Sequence, residues 1–126
     1  MIVGIGTDII EVARIAKLYQ LQGERFAKRI LSESELEELA QKRFPEAFLA
    51  KRWALKEAVA KALGTGIAQG VTFQQMCIAH HPSGQPYLVL NGAAKERADA
   101  INADDWHISV SDEKHYSVAY VIAQST

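Results

Sequence analysis

The stretch PEAFLAKRWALKEAVAKALGTG, residues 45–66, decides the fold. Pro45 suits a first helical position, where its missing N–H costs nothing, and Gly64 is a natural C-terminal stop. Between them the spacing predicts the best helix of the chain, roughly 18 residues, or about 27 Å at 1.5 Å per residue. Ala54, Leu55, Ala58, Val59, Ala62 and Leu63 line one side. Trp53, Glu57 and Lys61 share a second line at four-residue spacing. The alanine content lets another element pack close. An acid and two bases, Glu57 with Lys56 and Lys61, stand in a run that otherwise reads as buried. Glu57 and Lys61 are in the favoured acid-then-base order, and such pairs often only brace a solvated helix face. The rest of the chain must decide between bracing and chemistry.

Before this helix, Met1–Ile5 is apolar and β-branched and reads as a first strand, loosened by Gly4, Gly6 and Thr7. Residues from about Ile9 to Tyr19 carry a rough apolar stripe and read as a helix, with Arg14 and Lys17 on its other side. Glu24–Leu31 reads as a short helix. Ser32 or Ser34 then caps the next one; Ser34 with Glu37 three residues on makes a capping box, and the acids there suit a positive helix start. Beyond GTG, VTFQQMCIAHH reads as a strand, PSGQP as a turn, YLVL as a strand, and NGAAKERADAI as a short helix capped by Asn91. WHISVSD alternates with a period of two: Trp106, Ile108 and Val110 on one face, His107, Ser109 and Ser111 on the other. YSVAYVIA is the last strand. The order predicts a single α+β domain over residues 1–126, with antiparallel pairing.

At 126 residues the chain suffices for one domain with a real core. Hydrophobic residues are 48%, charged residues 23% and the formal net charge is -1, so no global field draws nucleic acid or membrane. The single cysteine, Cys77, cannot form an internal disulfide or a cysteine-only metal site and reads as a small buried hydrophobe, as a reducing cytoplasm allows. The N-terminus is too short and too interrupted for a signal peptide or a membrane span.

Candidate chemistry is sparse. Asp8, just past the first strand, and Glu57, on the long helix, can share a hard cation such as Mg²⁺, which takes one or two protein carboxylates and leaves positions for phosphate oxygens. Asp8 equally suits a helix cap. Gly64, Thr65 and Gly66 follow a helix instead of opening one, which excludes the Walker loop and the dinucleotide fingerprint. They read as a simple stop, or as a place where backbone passes close to a ligand within reach of Lys61. His107 and Ser109 can hydrogen-bond phosphate or sugar, or simply form an exposed sheet face. No GxSxG elbow, HExxH or CxxC is present. The pairs Lys28–Arg29, Lys42–Arg43 and Lys51–Arg52, with Arg14, are either solvated surface or a match for acidic or phosphate groups.

GIGTDIIEVARI (4–15), FAKRILSESEL (26–36), FLAKRWALKEAVAKALGTGI (48–67), GQPYLVLNG (84–92) and WHISVSDEKHYSVAYVIA (106–123) together resemble the short, single-domain group of 4′-phosphopantetheinyl transferases that modify acyl-carrier proteins. The resemblance spans nearly the whole chain. It implies a fold with one long central helix against an antiparallel sheet, assembled as a homotrimer with active sites between subunits. It implies a Mg²⁺-dependent cytoplasmic enzyme of fatty acid biosynthesis. Such an enzyme moves phosphopantetheine from coenzyme A to a serine of apo-acyl-carrier protein and releases adenosine 3′,5′-bisphosphate. Asp8 and Glu57 match the metal-binding acids, and Lys61 matches a lysine that contacts coenzyme A phosphates. Gly64, Thr65 and Gly66 match the loop beside the pyrophosphate, and His107 and Ser109 match a strand near the nucleotide. Arg14 matches the position that docks the carrier, with Arg25, Lys28 and Arg29 nearby in sequence. Glu57 or a metal-held water serves as the base, and the sequence leaves both open. The chain departs from the pattern at Ser111–Asp112, where many members have Ser-His; His115 follows three positions later. Two other readings use the same parts: a Mg²⁺-dependent phosphoesterase and a non-catalytic nucleotide-binding trimer.

Overall fold

The computed structural model describes residues 1–126. In chain order it contains β1 (Ile2–Glu11), α1 (Val12–Gln22), α2 (Glu24–Ile30), α3 (Glu33–Leu39), α4 (Pro45–Leu63), β2 (Met76–His80), β3 (Pro86–Leu90), α5 (Gly92–Ala100), β4 (Asp105–Asp112) and β5 (Tyr116–Gln124). One antiparallel sheet has the order β1-β5-β4; β2 and β3 form a separate hairpin. The expected α+β class with antiparallel pairing is what forms.

Helix α4 is the axle. It runs 19 residues from Pro45, and Gly64 ends it at φ 81°, a left-handed conformation that glycine adopts without a Cβ clash. The Gly64 and Gly66 N–H groups donate back to Lys61 O and Ala60 O at 3.0 and 3.1 Å, which closes the helix end. Leu49, Ala50, Ala54, Leu55, Ala58, Val59 and Ala60 are fully buried, because β1 and β5 cover one side of α4 and α1, α2 and α3 pack around it. Trp53 stacks on Phe26 of α2 at 6.0 Å and packs on Phe73 at 5.1 Å, so the tryptophan ties α4 to its neighbours.

Strand β1 is twice as long as the sequence reading allowed. Gly4 and Gly6 do not loosen it; they let it lie against α4. A Cβ built on Gly6 would overlap the Ala58 carbonyl oxygen, and one on Gly4 the Ala62 carbonyl oxygen. The alanine-rich side of α4 and the glycines of β1 are thus the two halves of one close contact. Pairing with β5 continues through Glu11↔Tyr116, so Asp8 stands inside the strand. The helix-cap reading of Asp8 is therefore wrong: α1 starts after Glu11 without a side-chain cap, and Val12 N–H donates to His115 O at 2.8 Å.

Other boundaries also moved. The cap of α3 is Ser32, not Ser34, with Glu35 as the reciprocal partner. Residues Phe73–Gln75 form a tight helical turn before β2, because Phe73 turns inward onto Trp53. Asn91 precedes α5 without a side-chain cap.

The two faces of the three-stranded sheet differ. One packs on α4. The other carries Ile5, Ile9, Tyr120 and Ile122, exposed by 68%, 62%, 63% and 39%, with His107 and Ser109 beside them. A monomer thus leaves an apolar sheet face bare.

Candidate active site

The close approach of β1 to α4 sets the site. Asp8 has the same strand parity as Gly4 and Gly6, so its side chain meets α4. Lys61 Nζ donates to Asp8 Oδ1 at 3.2 Å and to Thr7 O at 2.9 Å. The Asp8 side chain is 16% exposed, and its Oδ2 is buried with no partner. Glu57 precedes Lys61 by one helical turn on the same line of α4. Burial pushes the Glu57 carboxyl above its ordinary range; the Asp8 carboxylate pushes it further, and Lys61 pulls back. Lys61 thus pairs with Asp8 of β1 and not with Glu57 on its own helix.

These residues fit a divalent cation. Asp8 Oδ2 is an orphaned acceptor that burial makes costly, and the Glu57 carboxyl, pushed up by burial and then by the Asp8 carboxylate, gains from a shared positive charge. No group of three or more His, Cys, Asp or Glu side chains gathers anywhere in the chain, so a closed protein cage is not available. Two carboxylates with the remaining positions open is the pattern of Mg²⁺ sites completed by water and phosphate oxygens.

Next to this pair the Gly64–Gly66 loop turns away from α4, with Gly66 at φ 63° and Thr65 Oγ1 donating to Gly66 O at 2.8 Å. Arg97 of α5 donates from Nε to Leu63 O at 2.8 Å and its guanidinium borders Gly64. Sequence reasoning missed Arg97. In NGAAKERADAI it looks like one more solvated charge, and only the packing of α5 reveals it as the C-terminal clamp of α4.

His107 and Ser109 do not join Asp8, Glu57 and Lys61 within one chain. They project from the opposite face of the sheet, opposite Ile122 and Tyr120 of β5. His107 Nε2 lies 3.2 Å from Asp105 Oδ2 and 3.0 Å from Gln124 Oε1. They can serve the site only across a subunit boundary. Asp112 sits at the far end of β4 and borders a small pocket with Lys42, Arg43 and Lys51. His115, in the turn, is exposed.

Arg14 on α1 and Arg25, Lys28 and Arg29 on α2 are all exposed. The guanidinium of Arg29 lies over Phe26 at 5.8 Å, and Lys28 is 3.8 Å from Glu24. The buried face of α2 (Phe26, Ala27, Ile30) anchors these charges to the core that holds Glu57.

A second ionic group was also missed. Lys56 is fully buried; its Nζ donates to Glu35 Oε1 at 2.5 Å and Ile30 O at 2.8 Å. Glu35 also accepts from the N–H groups of Ser32 and Ile78 at 2.9 and 3.0 Å. Arg52 Nε lies 3.2 Å from Glu35 Oε2 without hydrogen-bond alignment. Burial pulls the Lys56 ammonium below its ordinary range, and Glu35 opposes this. In sequence Glu35 reads only as a helix-start acid, a role it also fills.

Residues 4–121 match the model of the 4′-phosphopantetheinyl transferase superfamily. A holo-[acyl-carrier-protein] synthase of Hydrogenovibrio crunogenus is 57% identical over 125 residues, 99% of this chain and 98% of that one. Among solved structures, the holo-[acyl-carrier-protein] synthase of Neisseria meningitidis superposes with a TM-score of 0.93 at 41% identity, over 99% of this chain and 100% of that one. One from Bacillus anthracis in complex with CoA (3′,5′-ADP) does so with 0.83 at 35%, over 100% and 99%. The chain belongs to the 4′-phosphopantetheinyl transferase superfamily.

Proposed function

We propose that this chain transfers the 4′-phosphopantetheine group of coenzyme A to a serine of apo-acyl-carrier protein, giving holo-carrier and adenosine 3′,5′-bisphosphate for fatty acid biosynthesis. The observation that carries this is the convergence of Asp8, Glu57 and Lys61 where β1 crosses α4, with Asp8 Oδ2 buried and unpaired. Asp8 and Glu57 would hold Mg²⁺, which when bound supplies charge neutralisation at the diphosphate. The serine oxygen attacks the phosphorus that carries pantetheine, the bond from that phosphorus to the bridging oxygen breaks, and the bisphosphate leaves with the electron pair. Lys61, half-exposed and one turn from Glu57, meets the phosphate charge as a point cation. Glu57, with its raised proton affinity, is the acceptor proposed for the serine proton. Gly64 and Gly66 present backbone without Cβ atoms to the diphosphate.

Arg14, Arg25, Lys28 and Arg29 offer exposed positive charge to an acidic carrier surface, which speeds encounter and fixes orientation. The chain acts as one domain over 1–126 and assembles as a homotrimer. The bare apolar face with Ile5, Ile9, Tyr120 and Ile122 supports this, because neighbouring copies would cover it and bring His107 and Ser109 to the next subunit's site. No helix is long and apolar enough to cross a membrane, and the cytoplasm is the compartment proposed.

The test is mass spectrometry of apo-carrier protein incubated with coenzyme A and Mg²⁺. Wild type adds the phosphopantetheine mass; Asp8→Asn and Glu57→Gln do not. Bisphosphate formed without carrier would point to a phosphoesterase. Coenzyme A binding without mass gain would point to a non-catalytic nucleotide-binding trimer.

A further inference from the structure

We propose that Lys61 is a built-in counter-cation: before coenzyme A arrives, its ammonium occupies Asp8 and opposes a divalent ion, and it yields Asp8 when a diphosphate takes it. This rests on the metal reading of Asp8 and Glu57 given above. The ammonium has three donors, and two are engaged, by Asp8 Oδ1 at 3.2 Å and Thr7 O at 2.9 Å. Both acceptors belong to consecutive residues of β1, so the strand itself aims them at one point. The Lys61 side chain is 51% exposed, so its long stem is free to swing, whereas Asp8 is 16% exposed and fixed in the strand.

A divalent ion on Asp8 would share one carboxylate with that ammonium. Like charges at such a distance repel, and the low exposure of Asp8 weakens the screening that water would give. The ion therefore binds the empty site less well than the two acids alone allow. Phosphate oxygens reverse this: they draw the ammonium off Asp8 and offer further ligands to the ion. The half-exposed position makes the exchange inexpensive, since such a pair contributes little to folding. Lys61 thus makes occupation of the site by the ion conditional on the diphosphate, and by reciprocity the ion favours the diphosphate.

The test measures metal binding without coenzyme A, using Mn²⁺ as probe and electron paramagnetic resonance to read free ion. The proteins are wild type, Lys61→Met and Asp8→Asn, with circular dichroism as a folding control. Lys61→Met should bind Mn²⁺ tighter than wild type by about three- to tenfold, the size expected for breaking a half-exposed charge pair and a charge-assisted hydrogen bond. Asp8→Asn should lose the binding. Equal or weaker binding by Lys61→Met, with wild type binding through Asp8, overturns the counter-cation role and leaves the metal site standing. No binding by wild type or Lys61→Met, or binding that survives Asp8→Asn, overturns the metal reading and this inference with it.

Discussion

Lys56 Nζ lies 2.5 Å from Glu35 Oε1 in the fully buried interior, one residue from Glu57, whose carboxyl answers to Asp8 on the other side of the same helix. Two adjacent charges of α4 therefore serve different ends. Lys56 joins α4 to the end of α2, the start of α3 and β2, while Glu57 faces the proposed site beside Asp8.

Removing one partner of the buried pair leaves the other charged and unpaired. Glu35→Gln should destabilise the protein by about 3 kcal/mol or more in urea unfolding. The double variant Glu35→Gln/Lys56→Met should lose less than the sum of the two single losses, with a coupling of about 1 kcal/mol or more. Strict additivity would show that the two groups do not support each other.

Asp8→Asn and Glu57→Gln should each lower kcat/KM roughly 100-fold or more, the scale of losing one charge-stabilising group from a reacting centre. Far-ultraviolet circular dichroism should be unchanged, because neither side chain holds a secondary-structure element in place.

Glu57 gives a pH signature in metal-free protein. Its folded-state pKa is raised above its ordinary 4.5, by burial first and then by Asp8. The native state thus holds the proton more tightly than the unfolded chain. Its stabilising contribution is fully present below about pH 4.5 and is lost as pH rises through the raised value. At neutral pH, Glu57→Gln should melt higher than wild type, on the order of 2 °C. With coenzyme A present, Mg²⁺ should raise the melting temperature of wild type further and not that of Glu57→Gln.

Gly6→Ala places a methyl group on the Ala58 carbonyl oxygen, which is backbone and cannot step aside. Either β1 shifts or α4 bends. Thermal unfolding should show a loss of about 3 kcal/mol or more, and the folded fraction should lose activity because Asp8 moves with the strand. Gly23→Ala meets open space but a left-handed φ of 58°, so it should lose stability through backbone strain without moving Asp8.

Charge reversal at Arg14 should act on the partner and not on the chemistry. Arg14→Glu should raise KM for carrier protein at least about tenfold while KM for coenzyme A stays within about twofold, a rim-charge effect that weakens with added salt. Equal changes in both constants would remove the docking role.

The antiparallel α+β class, the long helix from Pro45 to Gly64, the alternation of β4, and the candidacy of Asp8, Glu57 and Lys61 could all be read from the chain itself. Helix caps, period and motif spacing are local signals, and they are strong where every neighbour agrees. Sequence fell short where one residue serves two masters. Gly4 and Gly6 looked like breaks in a strand because the helix they accommodate lies more than fifty residues away. Glu35 looked like a simple cap acid, and Arg97 like surface charge, because the carbonyls and ammonium they meet come from other elements. The tertiary structure alone decided that Asp8 is a strand residue clasped by Lys61, and that His107 and Ser109 occupy the far side of the sheet. Strand parity and long-range packing fix which way a side chain points, and neither is written in the residues nearby.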